Sequence, residues 1–117
     1  MRILLDESLR CLRHSFIGHE VVTVSEAGWS AVDNGELLRL AGMTFDLFVT
    51  ADQNVQYQQN LSALPIAVAV LVARNNKLES LREPVAELLT KLSGLSPRVL
   101  VRCSGLPGYM ASPLIAR

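Results

Sequence analysis

Residues 45–52 read FDLFVTAD, an apolar run that ends in a threonine and an aspartate. Further apolar runs stand on either side of it: ILL at 3–5, VVTV at 21–24 and IAVAVLV at 66–72. Short runs with apolar residues at consecutive positions are typical of strands that are buried on both faces of a parallel sheet. We therefore predict four buried strands in these segments and a fifth strand at 98–102.

Amphipathic segments separate the predicted strands. Apolar residues at helical spacing predict helices at 7–16, 37–41 and 78–92, with Gly42 near the end of the second. Residues 80–83 are spaced as a capping box for the third helix. Strands that alternate with helices predict an α/β fold, with right-handed βαβ units and a mostly parallel sheet of roughly five strands.

The bulk composition fits one globular domain. The chain has 117 residues, of which 50% are hydrophobic and only 5% aromatic, so we expect an aliphatic core. The formal net charge is zero, with 11 basic and 11 acidic residues. No overall field therefore draws the protein onto nucleic acid or a membrane, and a nucleic-acid partner requires a local basic patch.

The expected domain spans residues 1–103, and residues 104–117 are predicted to be a C-terminal tail that is flexible or docked on a partner. Cys11 and Cys103 have neither the spacing of a zinc site nor the number of a disulfide framework. The apolar run at the N-terminus is too short for a signal peptide, and no apolar run is long enough to span a bilayer. We therefore predict a cytoplasmic protein with no membrane partner.

Acidic residues follow two of the predicted strands. Asp6 comes after the first strand and Asp52 after the third, while Asp33 and Glu36 flank the start of the second helix. Ligands of open parallel sheets bind beyond the carboxyl ends of the strands, where these carboxylates are expected. Three converging carboxylates suit Mg²⁺ or Mn²⁺, which can activate water to cleave a phosphodiester. Aspartate is also a preferred helix N-cap, and the two roles are compatible.

Basic residues stand near the same predicted edge of the sheet. Arg10 and Arg13 lie on the first helix, and Arg74 follows the fourth strand. Guanidinium groups match the geometry of phosphates, so these arginines could hold a nucleic-acid backbone; a solvated surface is the alternative. Trp29 and Tyr57 could stack on bases, with packing inside loops as the alternative.

Five segments of the chain together are similar to the PIN-like nuclease families. They are ILLDES at 3–8, HEVVTV at 19–24, AGWS at 27–30, NGELLRLA at 34–41 and FDLFVTAD at 45–52. The closest resemblance is to a bacterial PIN-like family that is often encoded beside small antitoxin-like proteins. It implies a PIN-like three-layer α/β/α sandwich, a bound Mg²⁺ or Mn²⁺, and cleavage of RNA by the toxin of a toxin–antitoxin pair. A small antitoxin is the partner that the resemblance implies. Apart from the resemblance, a homodimer through the apolar helices is a second expectation.

The resemblance also assigns roles to particular residues. Asp6 corresponds to the first acid of the family and Asp52 to the acid of its T-x-D motif. The middle acid of the family falls on Asn34, so Asp33 or Glu36 is expected to replace it. The predicted site residues are Asp6, Asp52 and Glu36 for catalysis, Asp6, Asp52 and Asp33 for the metal, and Arg10, Arg13, Arg74, Thr50 and Asn54 for substrate binding.

Two other functions fit parts of the pattern. Asn34 suggests a PIN-like module that has lost its activity and only binds a partner. A phospho-accepting receiver domain also has acids after the first strand and an aspartate after the third. It further needs a serine or threonine after the fourth strand and a lysine after the fifth. This chain has Ala73-Arg74 and Cys103-Ser104 at those points, which argues against a receiver.

Overall fold

The computed structural model describes residues 1–55 and 60–105, in which strands and helices alternate. The five strands are β1 (Arg2–Leu5), β2 (Glu20–Thr23), β3 (Leu47–Thr50), β4 (Ala67–Leu71) and β5 (Leu100–Cys103). The long helices of these ranges are α1 (Asn34–Thr44) and α2 (Leu78–Lys91), and short 3₁₀ helices cover Glu7–Leu12, Leu61–Ala63 and Leu92–Gly94. All five strands predicted from the apolar runs are present.

The five strands form one sheet in the order β2-β1-β3-β4-β5, and every neighbouring pair is parallel. The predicted α/β fold is confirmed, with a sheet that is wholly parallel. The chain runs from β1 outward to β2 and then crosses back to β3 on the other side of β1. The gap between β1 and β3 is therefore the point at which the strand order reverses, where ligands of open α/β sheets bind.

Apolar side chains cover both faces of the sheet, as a parallel sheet requires. One face packs against the 3₁₀ helix Glu7–Leu12 and against α2; this cluster includes Leu5, Val49, Leu71, Leu9, Leu81 and Leu88. The other face packs against α1; this cluster includes Leu4, Phe48, Val70, Leu38 and Ala41. The structure thus has helices on both sides of a central sheet.

The first predicted helix is where the structure differs most from the sequence prediction. Instead of an α-helix over 7–16, the chain forms a 3₁₀ helix over Glu7–Leu12 with a non-helical residue, Leu9, at φ −112°. Leu9 and Leu12 are nevertheless fully buried. Side chains three residues apart share one face of a 3₁₀ helix, so the spacing predicted burial correctly but not the type of helix.

Helix α2 begins where its apolar spacing predicts and not at the predicted capping box. It starts at Leu78, and its N-cap residue, Lys77, makes no side-chain cap. The predicted capping box was therefore wrong, because residue 80 already lies within the helix. Pro84 also lies inside the helix, at a typical cost of about 3 kcal/mol. Leu81 and Leu88 on either side of it are fully buried, and burial of such side chains, at roughly 2 kcal/mol each, offsets that cost.

The expected tail begins against α2. The backbone N–H of Gly105 donates to the Glu87 carboxylate at 2.9 Å. The rest of the predicted tail, residues 106–117, lies outside the described residues, as does Tyr57. In the ranges that are described, no helix has the length and apolar character needed to cross a bilayer.

Candidate active site between β1 and β3

The acids Asp6 and Asp52 follow two strands that pair directly with each other. Leu5 of β1 lies opposite Val49 of β3. The N–H of Asp6 continues this pairing by donating to the carbonyl oxygen of Val49 at 2.9 Å. Asp6 is therefore held in the register of the sheet, beside Thr50, at the point where the strand order reverses.

The hydroxyl of Thr50 connects the two acids. It donates to Oδ2 of Asp6 at 2.8 Å and accepts the backbone N–H of Asp52 at 3.0 Å. Thr50 is only 2% exposed, so this hydroxyl has little competition from water. The hydroxyl thus uses both its donor and one of its acceptor sites, and it links the Asp6 carboxylate to the backbone of Asp52. The hydroxyl of Ser8 adds a longer contact, 3.3 Å, to the same oxygen of Asp6.

Each acid keeps one oxygen for other partners. Oδ1 of Asp52 accepts the N–H of Asn54 at 2.9 Å, which closes a turn after β3, whereas Asp6 makes no side-chain cap on the following 3₁₀ helix. Within the described part of the chain, Oδ1 of Asp6 and Oδ2 of Asp52 accept no hydrogen bond. Both residues are half-buried, so these two oxygens can bind a ligand that reaches the edge of the sheet.

Asp33 and Glu36, the two candidates for a third metal-binding acid, both make hydrogen bonds at the start of α1. Oδ1 of Asp33 accepts the N–H of Glu36 at 3.0 Å, which makes Asp33 the N-cap of the helix. The guanidinium of Arg39 donates to both carboxylate oxygens of Glu36 and lowers its pKa. Across residues 1–55 and 60–105, no three side chains of His, Cys, Asp or Glu are grouped so that they could hold a metal ion. The identity of a third ligand therefore stays a prediction.

Glu7, the second acid after β1, faces the end of β2. Its carboxylate accepts the N–H of Ser25 at 2.9 Å and the hydroxyl of Ser25 at 3.1 Å. Arg10 lies 3.7 Å from the same group. Glu7 thus ties the segment after β1 to the turn after β2, and it is Asp6 that faces β3.

The predicted phosphate-binding arginines have different surroundings. Arg13 pairs with Glu26 at 3.0 Å and also donates to the carbonyl oxygen of Val21 at 3.3 Å. A hydrogen bond from the N–H of Thr23, and next the Arg13 guanidinium, lower the pKa of Glu26. Arg13 thus pairs with an acid, as does Arg10.

Arg74 lies in the exposed loop between β4 and α2. It lines an open, mostly polar cavity with Asn75 and Lys77 on the loop and Glu79 and Glu83 on α2. Among the described residues, neither Arg74 nor Lys77 has a carboxylate within ion-pair distance. Arg74 is therefore an exposed cation that is free to meet an anion.

One residue near the acids was not predicted from the sequence. The guanidinium Nη2 of Arg102 in β5 donates to the side-chain oxygen of Gln53, the neighbour of Asp52, at 3.3 Å. These residues are 49 positions apart in the chain, so no local pattern connects them. The only available signal was that Arg102 ends the predicted fifth strand, at the carboxyl edge of the sheet.

Trp29 packs within the protein, which is the alternative that the sequence left open. Its ring meets the ring of Phe45 edge-on, with centroids 6.0 Å apart. The guanidinium of Arg2 covers the Phe45 ring at 4.6 Å. Trp29 therefore anchors the loop before α1 to the face of the sheet that α1 covers.

The side chains of Asp6 and Asp52 at the β1–β3 gap can support only a few kinds of chemistry. The gap offers two carboxylates, each held by a hydrogen bond at one oxygen, and among residues 1–55 and 60–105 no thiol, imidazole or lysine amine is joined to them by a hydrogen bond. Such a pair suits a hard divalent cation or a proton-transfer role. Comparisons of the chain with models of known protein families, with curated proteins and with solved structures found no match in any of the three.

Proposed function

We propose that this protein is a metal-dependent endoribonuclease of the PIN-like type, with Asp6 and Asp52 at its active site. The observation that carries the proposal is the Thr50 hydroxyl, which holds the Asp6 carboxylate and also accepts the backbone N–H of Asp52, at the point where the strand order reverses. An acid that only needs to be solvated at the surface does not require a hydrogen bond from a buried threonine. RNA as the substrate follows from the resemblance to PIN-like nucleases.

The residues at this gap fit a cation that keeps much of its water. Mg²⁺ is commonly bound by one or two carboxylates, with waters and substrate phosphates completing its coordination. Asp6 and Asp52 supply two carboxylates, and a third is not required for such a site. When bound, Mg²⁺ or Mn²⁺ activates water and neutralises charge on a phosphodiester.

The chain's own residues prepare the site for that chemistry. Thr50 fixes the Asp6 carboxylate, and the turn closed by Asn54 fixes Asp52. Preorganised groups of this kind lower the cost of reorganisation during the reaction. Arg74, an exposed cation at the same edge of the sheet, is a candidate for holding the phosphates of the strand.

The direct test is cleavage of a labelled single-stranded RNA of mixed sequence by the full chain with Mn²⁺. We expect cleavage that stops on chelation, and a melting temperature that rises with Mn²⁺ because the cation binds only the folded state. A folded protein that neither cleaves nor responds to Mn²⁺ would instead support the inactive binding module.

The Thr50 link gives a sharper prediction. Thr50→Val keeps the shape of the side chain but removes the hydroxyl, which leaves the Asp52 N–H without its acceptor. We expect Mn²⁺ affinity to fall about 10- to 100-fold, as for other groups that orient metal ligands. Thr50→Ser retains a hydroxyl and is the matched control. Titration of the thermal stabilisation by Mn²⁺ measures both variants, and equal affinities would contradict the proposed role of Thr50.

The role of Asp33 as a third metal ligand can be tested with a variant that still caps α1. Asp33→Ser removes the carboxylate but keeps a residue that caps helices well, whereas Asp33→Ala loses the cap at about 1 kcal/mol. Because Oδ1 of Asp33 already caps α1, we expect Asp33→Ser to leave stabilisation by Mn²⁺ unchanged. Loss of that stabilisation in Asp33→Ser would identify Asp33 as a metal ligand.

The strand order favours a second candidate, because receiver domains share the order 2-1-3-4-5. In that case Asp52 would be the phosphorylated residue. Arg74 and Ser104 stand where receivers need a small hydroxyl residue and a lysine, respectively, which weakens this candidate. Incubation with a small phosphodonor and Mg²⁺, followed by intact mass measurement, distinguishes the two candidates.

A further inference from the structure

An apolar groove runs along α2, on the side of the sheet away from α1. It has a volume of about 300 Å³, and the buried residues Leu12, from the first 3₁₀ helix, and Val85, from α2, line it. Leu78 and Leu89 also line the groove, and they are 49% and 41% exposed. Large apolar side chains that stay half-exposed around a groove are typical of a surface that binds another protein surface.

The two exposed leucines lie on the same face of α2. Leu78 and Leu89 are separated by about three helical turns, or about 16 Å along the helix axis. A second copy of α2 can pack antiparallel against this face about a two-fold axis, with Leu78 of each copy against Leu89 of the other. In a two-fold interface every such contact occurs twice. The axis then passes close to the middle of the helix, near Arg82 and Glu83.

The charges near this axis are self-complementary. Arg82 and Glu83 are neighbours in the sequence and are both exposed. Among residues 1–55 and 60–105, neither side chain has an oppositely charged group within ion-pair distance. In the antiparallel pair, Arg82 of each copy lies beside Glu83 of the other, so two ion pairs form across the axis. The two carboxylates also offset the proximity of the two guanidinium groups.

We propose that this protein forms a two-fold symmetric homodimer through the groove, with the two α2 helices antiparallel. Helix α2 has 14 residues and is about 21 Å long, so the contact is smaller than the roughly 1,600 Å² of a standard interface. We therefore expect a dissociation constant in the micromolar range. The inference does not depend on the proposed nuclease function, because it uses none of the residues of the acid pair.

Sedimentation velocity of the full chain at about 5 to 500 µM measures the equilibrium between monomer and dimer. We expect wild type to dimerise as its concentration rises. Leu89→Lys should weaken the dimer by more than about tenfold, because each dimer loses two apolar contacts and must accommodate two further cations. The matched control is Met43→Lys, since Met43 is 68% exposed on α1, which covers the other face of the sheet. Equal weakening by both variants would show that the groove is not the interface.

Exchanged charges test the antiparallel arrangement. Arg82→Glu and Glu83→Arg each bring like charges together across the axis, so each variant alone should dimerise about tenfold more weakly than wild type. When the two variants are mixed in equal amounts, each supplies the charge that the other lacks, and we expect a heterodimer to form. Contacts within one chain cannot produce a recovery on mixing. A mixture that sediments as the separate variants do would overturn the two-fold arrangement, and a wild-type chain that stays monomeric would overturn the homodimer and assign the groove to a different protein.

Discussion

Asp6→Asn and Asp52→Asn should each abolish metal-dependent cleavage of RNA while leaving the fold intact. Asparagine keeps an oxygen that can accept from Thr50 in the first variant and from Asn54 in the second. What it removes is the negative charge that a hard cation requires. Groups that only orient metal ligands are worth about 10- to 100-fold, so loss of a ligand itself should lower the rate by more than about 100-fold.

The matched control for these variants is Asp46→Asn. Asp46 lies before β3 at the opposite edge of the sheet, and its carboxylate accepts the N–H of Arg2 at 2.7 Å. It is thus an aspartate that accepts a backbone N–H but is remote from the acid pair. The rate of cleavage of labelled RNA with Mn²⁺, and the response of the melting temperature to Mn²⁺, are measured for all three variants. Wild-type cleavage by Asp6→Asn or Asp52→Asn would remove these acids from the mechanism.

The same variants test the proposed role as a toxin. If cleavage of cellular RNA stops growth, expression of the wild-type chain in a bacterial host should do so, and expression of Asp6→Asn or Asp52→Asn should not. Equal accumulation of the three proteins is the required control. Growth arrest that persists in both variants would separate toxicity from the acid pair and would point to a partner that the chain binds.

The sequence predicted the strands well because their signal is local. Runs such as residues 66–72 are apolar at consecutive positions, and burial on both faces of a parallel sheet requires this pattern. That Asp6 and Asp52 lie at the same edge of the sheet was also predictable, since the carboxyl ends of parallel strands meet at one edge, but the direct pairing of β1 with β3 was not. The 3₁₀ helix over Glu7–Leu12 was not, because Leu9 and Leu12 are equally compatible with a 3₁₀ helix and an α-helix.

The features that the sequence missed depend on contacts between distant segments. Thr50 was assigned to substrate binding, and only the structure shows its hydroxyl between Asp6 and Asp52. Arg102 was not assigned a role, because its position relative to Asp52 depends on the strand order β3-β4-β5. Strand order is a property of the whole chain, and no motif within one segment encodes it.

Gly42→Ala should strongly destabilise the fold. In the sequence Gly42 looks like a residue near the end of a helix, but α1 continues to Thr44. A Cβ atom at Gly42 would lie 2.5 Å from the carbonyl oxygen of Pro65 and 3.2 Å from its carbonyl carbon. Both are backbone atoms just before β4, so they cannot move aside as a flexible side chain can. We expect a loss of about 2–3 kcal/mol, typical of overpacking, and a melting temperature lower by roughly 10 °C.

A second glycine of the same helix makes this prediction specific. A Cβ atom at Gly35 would meet only Oδ1 of Asp33, at 3.7 Å, which is an ordinary contact. Alanine forms helices better than glycine by about 1 kcal/mol, so Gly35→Ala should preserve or raise the melting temperature. Thermal unfolding followed by circular dichroism compares the two variants, and equal melting temperatures would mean that α1 can move away from Pro65.

The contact between Gly42 and Pro65 is far from the acids. Pro65 precedes β4, whereas the acids follow β1 and β3, so the contact and the acids lie at opposite edges of the sheet. Folded Gly42→Ala protein should therefore respond to Mn²⁺ as wild type does, which separates the stability of α1 from the metal binding proposed for Asp6 and Asp52.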